Sequence, residues 1–406
     1  TRVIQKALKG GGKVFFPAGT YKVTNRIVLY SNTQLFGTGV NSIIKPVLAP
    51  QTGASLFLGY GGASNISISN LALDGSSSPA DAESYHGIYI QNNSNINISN
   101  CYIHDFHGDG IYADGTNKNL TIQDNNIRGN YRNGIAIVQG ANFIITGNFV
   151  ETGYVAAIDL EPYQTSASVT GGQISQNVIT GINPGIALSG ALGTVKNITV
   201  QKNIIKLDGT NSNARAILSY AATDCAIKNN TIDNAALGMW GTTILNSTIQ
   251  GNKFSNIINS AIQIAASNSV VSDNCIYGSA WGGVILAGDF AGEGNTVENN
   301  YIEGVKSKAI VVSKNTETNI RNNFIIDSGS DGYALIDLNN SANCRILKNV
   351  IIDIKSANIP STAISLNNCS NCLVEQNYWQ GTQYSYLSDT SGKNNVFKDN
   401  KYQPNK

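Results

Sequence analysis

Asp159 and Glu161 stand two residues apart, with Asp114 two repeat-lengths upstream. In an extended segment, residues i and i+2 leave the same face, roughly 6.6 Å apart at Cα. Two carboxyls held that close can divide the labour of proton transfer. The neighbouring charge raises one pKa, so that group stays protonated as an acid while the other is ionised as a base or nucleophile. Glycosidic hydrolysis needs such a pair, with roughly 5–5.5 Å between carboxyls for retention and roughly 6.5–9.5 Å for inversion. The surrounding residues suit the same chemistry. All three histidines (His86, His104, His107) lie in this part of the chain, with Asp109, Arg128, Arg132 and Glu151 and the tyrosines Tyr89, Tyr112, Tyr131 and Tyr163. Tyrosine offers a sugar ring a flat apolar face with a polar tip. The expected roles are therefore Asp159 and Glu161 as the acid–base pair and Asp114 as substitute partner. His86, Tyr89, His107, Asp109, Tyr112, Arg128, Tyr131, Arg132 and Tyr163 are expected to contact substrate.

The cluster is conspicuous because the chain is poor in charge. Its 406 residues hold 27 Lys and Arg against 26 Asp and Glu, a net charge of +1, and only 13% are charged. No basic stripe exists, which argues against nucleic acid. No apolar stretch approaches the ~20 residues that cross a bilayer as a helix. Six cysteines are present. Cys369 and Cys372 have the spacing of a metal half-site, but no second pair or histidine completes it, so the cysteines are read as small buried apolar residues. The chain starts at Thr1, as a mature or trimmed protein would.

A repeat must position these groups. Asparagines recur at Asn125, Asn148, Asn177, Asn203, Asn230, Asn252, Asn274, Asn300, Asn323, Asn349, Asn377 and Asn400, in steps of 22 to 29 residues, and Leu71 and Cys101 take the same slot earlier. Between them lie short alternating strands, often opened by glycine, as in Gly87-Ile88, Gly110-Ile111 and Gly134-Ile135. A repeat that short cannot bury a face by itself and must stack on its neighbours. Stacked at ~4.8 Å, it forms three parallel sheets around one core. The asparagines then form an inward amide ladder in a tight turn. The expected fold is all-β: a right-handed parallel β-helix of ~25-residue coils with a short N-terminal capping helix. One domain is expected over 1–406, with the cap at 1–20, coils at 21–400 and a tail at 401–406. Val3, Ile4, Ala7 and Leu8 are expected to share the apolar side of the capping helix.

Register follows from the isoleucines. With Ile88, Ile111, Ile135, Ile158 and Ile186 inward, the next column outward is Tyr89, Tyr112, Ala136, Asp159 and Ala187, and two residues on it is Gln91, Asp114, Val138, Glu161 and Ser189. His86, Asp109 and Asn133 form a column before this strand, and His104, Arg128 and Glu151 form another. The longest steps, Leu71 to Cys101 and Asn148 to Asn177, bracket the cluster and carry loops at Asp74 to Ser84 and Pro162 to Ser166. Loops on a rigid stack are where repeat proteins place function. Further along, Trp240, Trp281, Tyr333, Trp379 and Tyr384 extend a possible sugar track.

The opening Phe16-Pro17-Ala18-Gly19-Thr20-Tyr21 and the recurring Asn-x-Ile and Gly-Ile units resemble the right-handed parallel β-helix proteins of the pectate lyase-like superfamily. That resemblance implies a protein that acts on polysaccharides outside the cell, either as an enzyme or as a tailspike-like depolymerase, and as a monomer or a homotrimer. Hydrolysis requires no cofactor. The alternative chemistry is elimination or epimerisation of a uronic acid polymer, with Ca²⁺ held by Asp109, Asp159 and Glu161 and a His, Tyr or Arg as base. His104 to His107 loosely resembles an alginate epimerase signature but lacks its Asp-Pro-His. A third reading is a non-catalytic adhesin or phage spike.

Overall fold

Strand and turn follow from one local rule in this chain. A residue in the left-handed region precedes each ladder asparagine: Asp124 (φ 56°) before Asn125, Gly147 (φ 67°) before Asn148, Gln176 (φ 57°) before Asn177 and Lys202 (φ 56°) before Asn203. The chain there turns the corner from one strand of the coil to the next, and the asparagine is buried. Its backbone and side chain then bond to the next coil. Asn125 donates from N and Nδ2 to Asn148 Oδ1 (2.9 and 3.0 Å), and Asn148 does the same to Asn177 Oδ1 (3.0 and 2.9 Å). Cys101 takes the expected slot and donates its N–H to Asn125 Oδ1.

The computed structural model describes residues 1–47, 55–76, 85–151, 153–288, 291–329, 332–354, 361–381 and 385–404. Most of the loop expected at Asp74 to Ser84, and Tyr384, lie outside these. The chain forms two compact units, Thr1–Leu207 and Asp208–Lys406. Each is a stack of coils made of short strands that pair in parallel with the strands one coil above and below.

In the first unit one ladder runs through Ser55–Gly59, His86–Gln91, Ile111–Asp114, Asn133–Ile137, Ala156–Leu160 and Ile186–Ser189. A second runs through Ser64–Ser69, Ser94–Ser99, Asn117–Gln123 and Gly140–Thr146. A third runs through Ala72–Asp74, Tyr102–His104, Asn126–Arg128, Phe149–Glu151 and Val178–Gly181. Ile88, Ile111, Ile135, Ile158 and Ile186 are in register and fully buried, so the inward column is as expected. The glycine opening the strand is required by close approach: a Cβ on Gly110 would lie 2.7 Å from the Gly134 carbonyl oxygen. The second unit repeats the plan, with its own ladder from Asn230 through Asn252, Asn274, Asn300, Asn323, Asn349 and Asn377 to Asn400.

The first helix is Arg2–Leu8, and only Leu8 is buried. Val3 is 82% exposed, contrary to the amphipathic reading. The cap works through a polar residue. Gln5 donates from Nε2 to Val28 O and accepts from Val28 N, both at 2.8 Å, and so occupies an open backbone position of strand Ile27–Leu29. That covers an edge that would otherwise invite pairing with another chain. Coil pairing already begins at Gly12–Phe16, inside the expected cap, and continues to Lys401–Pro404, inside the expected tail.

The cysteines of the described chain are free, and all but the partly exposed Cys275 are buried. No helix among the described residues is long and apolar enough to cross a membrane.

Candidate active site

Strand Ala156–Leu160 carries Asp159, and Glu161 follows directly after its last residue. Asp159 pairs in register with Ala136 below and Ala187 above. Flanked by these small, buried neighbours, the outward-facing Asp159 is only 4% exposed. Its Oδ1 accepts from Ser189 Oγ at 3.0 Å. Burial, reinforced by the charge of Glu161, pushes the Asp159 carboxyl up to about 8, with Ser189 and Arg132 pulling against the shift. Glu161 is more open, and Arg132 Nη2 donates to its Oε1 at 2.6 Å. The two carboxylates are thus chemically unequal: one sunk in the surface beside a hydroxyl, the other half-exposed against a guanidinium.

Arg132 also reaches backwards, its Nε lying 3.5 Å from Asp109 Oδ1. Asp109 is fully buried. It belongs to a turn ladder in which each side chain accepts the backbone N–H of the next coil: Asp109 N to His86 Nδ1 (3.0 Å), Asn133 N to Asp109 Oδ1 (2.9 Å) and Ala156 N to Asn133 Oδ1 (3.0 Å). The expected column of His86, Asp109 and Asn133 therefore exists, but His86 Nδ1 and Asp109 Oδ1 each accept a backbone N–H of the fold. With 0% exposure Asp109 has no surface for a substrate. His86 instead stacks on Tyr112, with centroids 4.5 Å apart. Arg132 is likewise tied to two carboxylates.

Tyr89 and Tyr112 sit in the outward column below Asp159, in register with one another and edge to face at 5.2 Å. Burial raises the Tyr112 phenol, and the charges of Asp114 and Glu161 raise it further. Burial likewise pushes Tyr89 up to about 12, with added contributions from Asp114 and Tyr163. Both phenols are therefore held in their protonated, hydrogen-bond-donating form at neutral pH. Asp114 accepts from Gln91 Nε2 (3.2 Å) and from Gly115 N (2.6 Å). Those bonds hold the Asp114 carboxylate in this wall. Tyr163, on the loop after the strand, is 53% exposed. A cleft of about 380 Å³, lined by Arg26, Val28, Leu58, Tyr60, Tyr89 and Gln91, adjoins this wall.

His107, Tyr131 and Tyr154 make a ring stack beside Arg132. Centroids are 6.5 Å apart for His107 and Tyr131, and 5.7 Å for Tyr131 and Tyr154, whose planes differ by 4°. Tyr131 and Tyr154 are 47% and 71% exposed, which makes a platform. Arg128 does not join the group. It lies on Asn126–Arg128 of the third ladder, beside His104 as expected, and its Nε donates to Tyr102 Oη at 3.0 Å. Ser189 was visible in the outward column of the sequence without a role; a hydroxyl one coil above a buried carboxyl is the signal that identifies it.

A divalent cation on Asp109, Asp159 and Glu161 does not fit this arrangement, because Arg132 already lies between Asp109 and Glu161. Among the described residues, ligand atoms converge within 4.8 Å at Asp74, His104 and Asp105, in the third ladder. The Lys45 ammonium, 3.0 Å from Asp74, already supplies the positive charge there. Trp379 is 1% exposed and is core, so it leaves the supposed sugar track.

The sequence pattern of the right-handed beta helix region matches residues 41–205 and 184–351. The chain belongs to the right-handed β-helix family. Its first 57 residues also match the rhamnogalacturonase A/epimerase, pectate lyase-like pattern. The pre-neck appendage protein of Bacillus phage phi29 is 34% identical over 105 residues, 25% of this chain. The chain spans 12% of that protein's length. Among solved structures, the pre-mature bacteriophage phi29 gene product 12 superposes with a TM-score of 0.70 at 13% identity, over all of this chain and 70% of the other. The A-module of the Azotobacter vinelandii mannuronan C-5 epimerase AlgE6 gives 0.51 at 14% identity, over 97% and 94% of the two chains. These superpositions show a shared fold, which serves both an enzyme acting on a polysaccharide and a phage protein.

Proposed function

We propose that the chain is an extracellular glycoside hydrolase that cuts a polysaccharide laid across the outward face of the Asp159 strand. Asp159 is the general acid. It gives its proton to the glycosidic oxygen as that bond to the anomeric carbon breaks. Glu161 is the general base. It takes a proton from the water that attacks the anomeric carbon, so the products are a new reducing end and an alcohol. Arg132 orients Glu161, Ser189 orients Asp159, and Tyr89, Tyr112, Tyr131, Tyr154 and Tyr163 offer ring faces and phenol donors to sugar units. No metal enters this reading.

The observation that carries it is the inequality of the pair: a 4% exposed Asp159 held protonated near neutrality, two residues from a carboxylate with a cationic partner. The test is product analysis on a panel of neutral and uronic polysaccharides, with and without chelator. New reducing ends without unsaturated sugars, insensitive to chelator and lost in Asp159→Asn and Glu161→Gln, are expected. Unsaturated products that vanish with chelator would replace hydrolysis with elimination.

The similarity to a phage appendage protein favours one second reading, a glycan-binding spike without catalysis. It predicts no cleavage of any polymer, and glycan binding that is unchanged in both carboxylate variants.

A further inference from the structure

The second unit carries its own outward cluster, built on the same strand slot. Ile336-Asp337-Leu338 repeats Ile158-Asp159-Leu160, and in both strands the isoleucine is fully buried in the inward column. Asp337 is 6% exposed. Two changes separate it from Asp159. Asn339 stands where the first unit has Glu161. The carboxylate is also bound by a lysine ammonium, with Lys308 Nζ donating to Asp337 Oδ2 at 2.5 Å. An aspartate tied to an ammonium, with no second carboxylate two residues on, lacks the partner that hydrolysis needs.

What surrounds the pair suits binding. Lys308 also lies over the ring of Tyr333, 5.4 Å from its centroid. Lys308 N donates to the Trp281 carbonyl at 3.1 Å, which puts Trp281 on the coil before. The register of Gly282 with Lys308, and of Ile310 with Ile336, places Trp281, Ser307 and Tyr333 in one column on three successive coils. Trp281 and Tyr333 are 47% and 49% exposed, while Ser307 between them is buried. The result is ring, gap, ring, with roughly 9.6 Å between the outer coils. Beside the gap, Lys308 and Asp337 present a donor and an acceptor. Large aromatic side chains left this exposed around a polar pair are the composition of a recognition surface.

We propose that Trp281, Tyr333, Lys308 and Asp337 form a second saccharide site that binds a neutral polysaccharide without cutting it. The rings stack on two sugar units separated by about a disaccharide. The ion pair, neutral in sum, hydrogen-bonds hydroxyls of the unit over Ser307. The hydrolase reading enters only through the choice of a saccharide as ligand.

The test uses the full chain bearing Asp159→Asn, run in native gels that contain dextran, pullulan, galactomannan, mixed-linkage glucan or polygalacturonate, one polymer per gel. A neutral polymer is expected to retard migration, and Trp281→Ala with Tyr333→Ala to weaken the apparent affinity about tenfold. Trp281→Tyr with Tyr333→Phe keeps both rings and should keep the retardation, which separates ring loss from misfolding. With Asp159 intact, the double alanine variant should cleave short oligosaccharides at the normal rate. Retardation that is the same in the double alanine variant, absent with every polymer, or seen with polygalacturonate alone would overturn the proposal. Retardation that depends on the rings in a chain that cleaves nothing would leave this site standing and remove the hydrolase reading.

Discussion

Arg132 donates to Glu161 at 2.6 Å, while Asp159, two residues earlier, has a serine hydroxyl at 3.0 Å. Every functional expectation here descends from that asymmetry. A cation beside one carboxyl favours its ionised form, and burial beside the other favours its neutral form.

The acid role predicts the pH profile. Activity should fall as pH rises through about 8, where Asp159 gives up its proton. The profile of kcat/KM against pH checks this, because its alkaline limb reports the essential acid of the free enzyme. An alkaline limb that persists unchanged in Asp159→Asn residual activity would assign it to another group.

Stability should carry the same signature. The folded Asp159 binds its proton up to about 8, against 3.8 for an exposed aspartate carboxyl. Between those limits the folded state holds more protons than the unfolded state, so stability falls as pH rises from about 4 to 8 and then levels off. Asp159→Asn removes this contribution. Its Tm should decline less than that of the wild type across the window, while its rate drops by about 10²–10⁴.

Removing Arg132 should cost both fold and activity. Arg132→Ala leaves the buried Asp109 carboxylate without its cation and frees Glu161 to turn. The guanidinium is partly exposed, so the loss should be about 2 kcal/mol, below the 3–5 kcal/mol of fully buried pairs. Urea unfolding measures it, and kcat should fall more than KM rises.

The asparagine ladder should be stiff and intolerant. Asn148 is 1% exposed and accepts two bonds from Asn125 while donating to Asn177 and to the Ile122 carbonyl. Asn148→Ala leaves buried groups unpaired and should cost about 1–3 kcal/mol by denaturant unfolding. No change in rate per folded molecule is expected.

The sequence revealed the stack because its physics is local. An asparagine every 22 to 29 residues, with glycine opening a strand whose isoleucine points inward, recurs often enough to set the register. The columns through Ile158 and Asp159 stand in the structure as they were read. What one coil cannot show is what a neighbouring coil does to a side chain. His86 and Asp109 look like surface histidine and aspartate until the next coil presents its N–H groups to them. Arg128 is near Arg132 in sequence, but the corner between ladders sends it to Tyr102. Trp379 is drawn into the core at 1% exposure. Val3 failed for the opposite reason: the cap is joined through Gln5, a polar contact that apolar periodicity does not register.

The most direct measurement is the protonation state of Asp159 itself. Infrared difference spectra of wild type minus Asp159→Asn, collected from pH 5 to 10, isolate the carbonyl stretch of one carboxylic acid. A protonated-acid band that is present at pH 7 and disappears through about 8 is predicted. A difference spectrum showing only carboxylate bands at pH 7 would contradict the assignment of Asp159 as the acid.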